Sequence, residues 1–272
     1  MTRILITVAD DFGLSPAVNE AVECAARNGI LTSASLMVGA PHAADAVRRA
    51  HALGGKLKVG LHLVVIEGPA VLPQAGIPNL LDASGQFPGD QLRLGLRYAF
   101  SPPVRRQLAA EIRAQFEAFH ATGLQLDHAN AHKHMHLHPV VGAMMIRIGK
   151  SFGLRAIRIP AEPPTPTRTF GDRALFHWTS LLRSQAHRAG LLTNDRIAGL
   201  AHTGHMTPDL VQRLVDTLPP GLTELYFHPA VTQDATLHRL MPAYEHRAEF
   251  DALLGTIIPP DVQLTTYTAL TG

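Results

Sequence analysis

The chain has 272 residues, a formal net charge of +2 and few aromatic side chains: long enough to bury a substantial core within one α/β barrel, and without the basic excess that marks nucleic-acid binders. A single cysteine, Cys24, excludes an internal disulfide and any cysteine-ligated zinc site, and fits a reducing, cytoplasmic setting. The sixteen histidines are the anomaly, since they would make the surface much more positive at mildly acid pH.

A β-branched and aliphatic run at 4–8 predicts a buried strand that breaks at Ala9-Asp10-Asp11-Phe12-Gly13. With one basic residue before it, this run is too short for a signal peptide, and no apolar run in the chain is long enough to span a bilayer. Ser15 is placed to cap the next helix, with Pro16 at its first position, Gly29 at its end and Val18, Ala21, Val22 and Ala25 facing inward. Strands at 30–38 and 57–65 flank a helix at 42–53, and this alternation argues for a parallel sheet. Residues 66–103, rich in proline and glycine with one amphipathic piece at 91–100, read as an insertion over one face. A helix at 103–122 ends before Gly123, and a strand at 124–127 runs into Asn130-Ala131-His132-Lys133-His134-Met135-His136-Leu137-His138-Pro139.

If that strand continues, Asn130, His132, His134, His136 and His138 share one parity and one face. Same-face neighbours on a strand lie roughly 6.6 Å apart and a zinc–nitrogen bond is only about 2 Å, so one metal takes at most one or two of these imidazoles. The other ligands must come from elsewhere. Beyond the row, the spacing predicts a helix at 139–152, a strand at 154–159 and a rigid exit at 160–164. A second insertion, about 164–196, holds an apolar helix around 174–189. Residues 197–201 then precede Thr203-Gly204-His205, a helix starts at Thr207-Pro208, a strand at 222–227 ends in His228-Pro229, and a last helix and strand close the chain. The expected organisation is one domain over 1–272, a distorted β/α barrel with lid-like insertions at about 66–103 and 164–196.

Asp10 and Asp11, His62, His132, Arg158, His205 and His228 each fall at or just beyond the carboxyl end of a different predicted strand. In a parallel β/α barrel those ends form the usual active-site face. Neighbouring Asp10 and Asp11 reach one site only if the chain turns between them, for which Gly13 is at hand; otherwise one caps the helix and the other is solvated. Taken singly, His62 is equally a hydrogen-bonded half-core residue, Arg158 a structural partner of an aspartate or a substrate contact, and His228 a strand stop or a proton carrier. Together, one aspartate and two histidines from three strands would leave coordination positions open, which is a catalytic rather than a structural arrangement.

The segments Ala9-Asp10-Asp11-Phe12-Gly13-Leu14-Ser15, Gly60-Leu61-His62-Leu63, His132-Lys133-His134-Met135-His136 with Pro139, and Phe227-His228-Pro229 resemble the YdjC-like carbohydrate deacetylases, in order and over nearly the whole chain. The resemblance implies a β/α barrel related to the polysaccharide deacetylases, a metal on Asp11, His62 and His132, and Asp10 as catalytic base. The stretches around Asn130, Arg158-Ile159-Pro160-Ala161-Glu162-Pro163 and Thr203-Gly204-His205-Met206 look more like the hopanoid-associated HpnK branch, which implies an N-acetylglucosaminyl hopanoid as substrate. At Asn130 the chain departs from the chitooligosaccharide enzymes, which carry an aspartate there; a neutral amide supports a histidine less strongly than a carboxylate.

The expected reaction is hydrolysis of the acetamide of an N-acetylated amino sugar, on a glycolipid or a soluble chitooligosaccharide. One divalent ion activates water, Asp10 takes its proton and His228 protonates the departing amine. Two imidazoles and a carboxylate favour zinc, while the resemblance points to magnesium. Asn130, His134, His136, Arg158 and His205 are expected to contact substrate or to support the ligands. A glycosidase would need two carboxylates about 5 to 9 Å apart across a bond, which adjacent aspartates fit poorly, and a histidine-rich metal store should bind several ions per chain. A hopanoid-linked sugar would bring the enzyme to the inner membrane surface. Leu92, Leu96, Tyr98 and Phe100 among Arg93 and Arg97, and Phe176, Trp178, Leu181 and Leu182 near Arg173, Arg183 and Arg188, suit either interfacial helices on anionic lipid or plain lids.

Overall fold

The chain opens with a strand, β1 (Arg3–Phe12), buried from Leu5 onward, which feeds α1 (Pro16–Asn28), β2 (Ser33–Leu36), α2 (Ala43–Ala52) and β3 (Lys58–Leu63). A small antiparallel hairpin, β4 (Gly68–Pro69) with β5 (Gln86–Phe87), leads to α3 (Gln91–Phe100) and α4 (Pro102–Ala121). Then come β6 (Leu126–Ala131), a 3-10 segment at His132–Leu137, α5 (Pro139–Lys150), β7 (Ala156–Ile157) and α6 (Phe170–Arg188). The chain ends with β8 (Leu192–Thr193), β9 (Arg196–Ile197), α7 (Pro208–Asp216), β10 (Gly221–Phe227), α8 (Ala235–Leu240), α9 (His246–Gly255), β11 (Val262–Leu264) and α10 (Tyr267–Thr271). This computed structural model describes residues 2–162 and 170–272, with 170–176 in backbone only, so Pro163 and Pro164 of the expected exit and the side chains of Arg173 and Phe176 lie outside the described residues.

The main sheet runs β8-β7-β6-β3-β2-β1-β10-β9, and β11 pairs with β1 beside Arg3 to Leu5, before β2 takes over at Val8. Every pairing in it is parallel. Its two edge strands, β8 and β9, are separated in the chain only by Asn194 and Asp195. Asn194 accepts from the Ile159 amide (2.7 Å) and donates to the Ile159 carbonyl (2.9 Å), while the Asp195 carboxylate accepts from the Leu222 amide (2.8 Å). One segment therefore ties β7 to β10, and the sheet curls back on itself as the expected distorted barrel.

Strand periodicity explains what lies inside. Residues of one parity point into the barrel, so Ile6, Val8, Ala156 and Leu222 meet Tyr267 of α10 in a small apolar cluster at its lower end. Above it, the next inward positions are polar and fully buried: Ser33, Ser35, His128, Asn130, Arg158 and Glu224. Gly60 makes room for this layer, because a Cβ there would lie 2.6 Å from the His128 ring. The larger apolar cluster fills the space between the sheet and its helices. α1 joins it as the sequence predicts, with Ser15 Oγ accepting from the Val18 amide (3.3 Å) and Pro16 in its first turn. Gly29 ends that helix for a reason other than left-handed backbone: a Cβ there would sit 2.2 Å from the Leu253 carbonyl oxygen.

Three expectations are corrected. β1 does not break at Ala9 but runs to Phe12, with a register shift between Ala9 and Phe12. The histidine row is not one strand face: β6 stops at Ala131, and Lys133 (φ 50°) and His134 (φ 54°) adopt left-handed backbone that turns the chain into the 3-10 segment. The expected last helix and strand are α9 and β11, but they do not close the chain: α10 follows, capped by Thr266, which accepts from the Ala269 amide (3.2 Å), and this swings Tyr267 under the barrel.

Candidate metal centre

The turn that brings both aspartates to one site occurs at Asp11 itself, whose φ of 60° kinks β1, and not at Gly13. A left-handed aspartate is uncommon and mildly strained, and strain held in place at a polar cluster is a mark of function. Asp11 Oδ1 lies 3.2 Å from His62 Nε2 on β3 and 3.2 Å from His132 Nδ1 just past β6. The ligand atoms of the three residues all fall within 4.8 Å of one another.

The hydrogen bonds around this trio fix its chemistry. The Asn130 amide nitrogen donates to Asp10 Oδ1 (2.9 Å) and Ser35 Oγ (2.9 Å), so its oxygen faces His62 Nδ1 at 2.7 Å and accepts from it. With the proton on Nδ1, His62 presents an Nε2 lone pair to a carboxylate, which is repulsive unless a cation lies between. Among the described residues neither of the two buried Asp11 oxygens has a hydrogen-bond partner, a costly state for an anion. Burial acts against a charged imidazole, yet Asp10 and Asp11 outweigh it and raise the His62 pKa. A cation held by these three donors would satisfy all of them.

Asp10 sits beneath, tied by a fork: Arg158 Nη1 reaches its Oδ2 (2.5 Å) and Nη2 its Oδ1 (2.9 Å). Burial would raise the Asp10 pKa, but Arg158 and His62 overrule it and hold the carboxyl well below its ordinary range. Arg158 itself is fully buried, anchored through Nε to Glu224 (2.5 Å) and lying 4.9 Å over the Tyr226 ring. Tyr267 braces Glu224 in turn (2.5 Å). From the other side Asp127, His128 (2.8 Å) and Ser35 (2.9 Å) form a buried chain ending on Asn130. Sequence reasoning missed this support; the only signals for it were the shared parity of His128 and Asn130 and the glycine opposite.

A cavity of about 170 Å³ opens over Asp10, His62 and His132, bounded by Glu67, Lys133, Thr203, Tyr226, His228 and Tyr244. Lys133 and Glu67 form an ion pair at its rim. His228 follows β10; its backbone amide donates to Glu249, its ring stands between Tyr226 (5.6 Å) and Tyr244 (5.1 Å), and its buried Nδ1 has no partner among the described residues. Burial lowers the His228 pKa, and burial pushes Glu249 up to about 7. His134 lines the same cavity against Tyr226, its pKa pushed down to about 3 by burial and by Arg158. His136 lies beneath, its Nε2 donating to the Arg158 carbonyl (3.1 Å), which fixes the backbone that carries the guanidinium. His205 is not brought in: half-exposed, it faces Glu245 at 3.1 Å and does not line the cavity.

Residues 4–262 match the profile of the family described as YdjC-like protein. The chain belongs to the YdjC-like family. This YdjC-like chain is 28% identical over 275 residues to a carbohydrate deacetylase of Brevibacillus brevis, covering 98% of this chain and 99% of that one. It is 33% identical over 233 residues to a carbohydrate deacetylase of Geobacillus stearothermophilus, covering 85% and 80%, and 30% identical over 271 residues to one of Vibrio cholerae, covering 96% and 94%. A crystal structure of an Enterococcus faecalis V583 protein named for cellobiose-phosphate cleavage superposes with a TM-score of 0.78 over 100% of both chains at 21% identity, a likeness of fold.

Proposed function

We propose that this chain is a metal-dependent carbohydrate N-deacetylase that hydrolyses the acetamide of an N-acetylated amino sugar, with Asp11, His62 and His132 holding one divalent ion. The observation that carries the reading is Asp11, both of whose oxygens are buried without a hydrogen-bond partner among the described residues and whose Oδ1 faces one imidazole nitrogen each of His62 and His132 at 3.2 Å. Two imidazoles and a carboxylate suit zinc better than magnesium. Such an ion supplies polarisation of the amide carbonyl and water of lowered pKa, without which a carboxylate as depressed as Asp10 would be a poor base.

The chain's own groups do the rest. Asp10, oriented by the Arg158 fork and the Asn130 amide, accepts the proton of the attacking water. His228, across the cavity, delivers a proton to the leaving nitrogen, which departs readily only once protonated. Tyr226, Tyr244 and His134 narrow the cavity to a size suited to an acyl group and part of one sugar ring, and exclude bulk water.

The relatives' names support a carbohydrate substrate. For its carrier we propose a hopanoid lipid bearing N-acetylglucosamine, on the resemblance of the Asn130, Arg158 and Thr203 segments. Released acetate is measured with N-acetylglucosaminyl hopanoid and with chitobiose. Acetate from the glycolipid is the expected result; acetate from chitobiose alone would keep the deacetylase and remove the hopanoid, and none from either would overturn the activity.

A further inference from the structure

Seven large apolar side chains are exposed among the described residues, and five of them stand on two neighbouring helices: Leu92 (75%), Leu96 (53%) and Phe100 (77%) on α3, Trp178 (41%) and Leu181 (39%) on α6. The two helices meet across His138, whose ring lies 6.2 Å from Tyr98 and 6.1 Å from Trp178, while a Cβ on Gly95 would sit 3.6 Å from it. Each helix already has a buried side, with Leu94 and Tyr98 on α3 and Leu182 and Ala186 on α6 turned inward. The exposed residues are therefore not a failed core but a second, outward apolar face.

Its charge is one-sided. From Gln91 to Ala110 the chain carries Arg93, Arg97, Arg105 and Arg106 and no acidic residue, with Asp90 capping α3 just before them; in α6 the one acidic residue, Asp172, belongs to the first turn, Arg188 follows Trp178 and Leu181, and Arg183 is turned to the carbonyls of Asn194 and Asp195. The face is tied through the chain to the elements that carry the site. Tyr98 donates to the carbonyl of Val65 (2.6 Å), two residues beyond the strand that bears His62, and His138 ends the 3-10 segment that begins at His132.

We infer that this face docks the protein on an anionic bilayer surface, with Leu92, Leu96, Phe100 and Trp178 entering the headgroup boundary and the arginines meeting lipid phosphates. An apolar stripe flanked by arginines is the composition of an interfacial helix, and the attraction to anionic lipid is screened by salt. Docking would bring the protein to the surface on which a lipid-borne sugar is presented; only that choice of substrate rests on the deacetylase reading.

Trp178 is the only tryptophan of the chain, so its emission reports directly on the face. The protein is mixed with phosphatidylcholine vesicles and with vesicles containing phosphatidylglycerol, at low and moderate salt, and followed by emission and by co-sedimentation. Binding to the anionic vesicles alone, with a blue shift and release by salt, is expected. Leu96→Ser with Phe100→Ser should abolish most of it, and Arg93→Glu should weaken it by about fivefold for each unit of charge lost. These residues are exposed, so an unchanged melting midpoint and unchanged acetate release from chitobiose serve as controls. Wild type remaining in the supernatant at low salt, or the double variant binding as well as wild type, overturns the proposal. So does a wild-type dimer that the double variant dissociates in the absence of vesicle binding, which would make the face a contact between copies. Vesicle binding without acetate from any substrate would sink the deacetylase and leave the docking face standing.

Discussion

Replacing Arg158 by methionine, similar in length but without charge, tests the support of the site. The guanidinium is fully buried and is the common partner of two carboxylates, Asp10 through two nitrogens and Glu224 through the third. Removing one member of a buried ion cluster leaves the others uncompensated, a cost of about 3–5 kcal/mol against a total stability of about 5–15 kcal/mol. For a chain of this size that lowers the melting midpoint by on the order of 10 °C. The loss should depend on pH. In the wild type, Arg158 and His62 hold the Asp10 pKa below its unfolded value of about 3.9, so its contribution is present above that value and is lost as the pH falls through the folded pKa. In Arg158→Met burial prevails and the folded pKa rises above the unfolded one, so what stability Asp10 contributes is present only at acid pH and is lost as the pH rises. The gap between the two proteins should be widest near pH 7.5 and narrow towards pH 4. Urea unfolding followed by circular dichroism at the two pH values measures it. A gap below about 1 kcal/mol, or one that does not change with pH, would refute the buried-cluster argument. Arg158→Lys should fall between, because a point charge cannot fork to both carboxylates.

Three further outcomes follow from the same geometry. Asp11→Asn should abolish stoichiometric metal by elemental analysis, yet after chelation at pH 8 it should melt above similarly treated wild type, because two buried, unpartnered anionic oxygens are gone. Asn130→Asp removes the donor to Asp10 and sets two carboxylates about 2.9 Å apart, so the acid limb of the pH–rate profile should move up by at least about one unit while metal is retained. His228→Ala should lower kcat by about 10²–10⁴ with little change in KM. Burial lowers the His228 pKa, so the alkaline limb it causes in wild type should lie below the ordinary imidazole value of 6.5 and vanish in the variant.

Much of this arrangement was legible because it rests on local chemistry. The caps of α1, the proline at the start of α5 and the glycine after α4 mark their helices directly, and the strand-end placement of His62, His132, Arg158 and His228 follows from a parallel barrel. What was hidden depends on backbone that no residue type announces. Asp11, Lys133 and His134 take left-handed conformations without a glycine, so the kink in β1 and the end of β6 could not be placed from pattern. The histidine row looked like one face because strict alternation is the only cue a sequence offers, and two left-handed residues suffice to cancel it. His128 and Glu224 read as unremarkable members of apolar strands; their part appears only when Gly60 admits the imidazole and β7 brings Arg158 over Glu224. His205 follows a strand like the others, but a 3-10 turn at Leu200–His202 intervenes and leaves it outside the cavity.

If Asp11, His62 and His132 form one cation site, turnover should depend on its occupancy. Zinc titrated into chelator-treated protein, with bound metal and acetate release measured on the same samples, tests it most directly. Activity should rise in proportion to occupancy and saturate at one ion per chain, and His132→Ala should neither retain the ion nor turn over. Several ions per chain, full activity in the stripped protein, or a His132→Ala variant that keeps both its metal and its rate would contradict it.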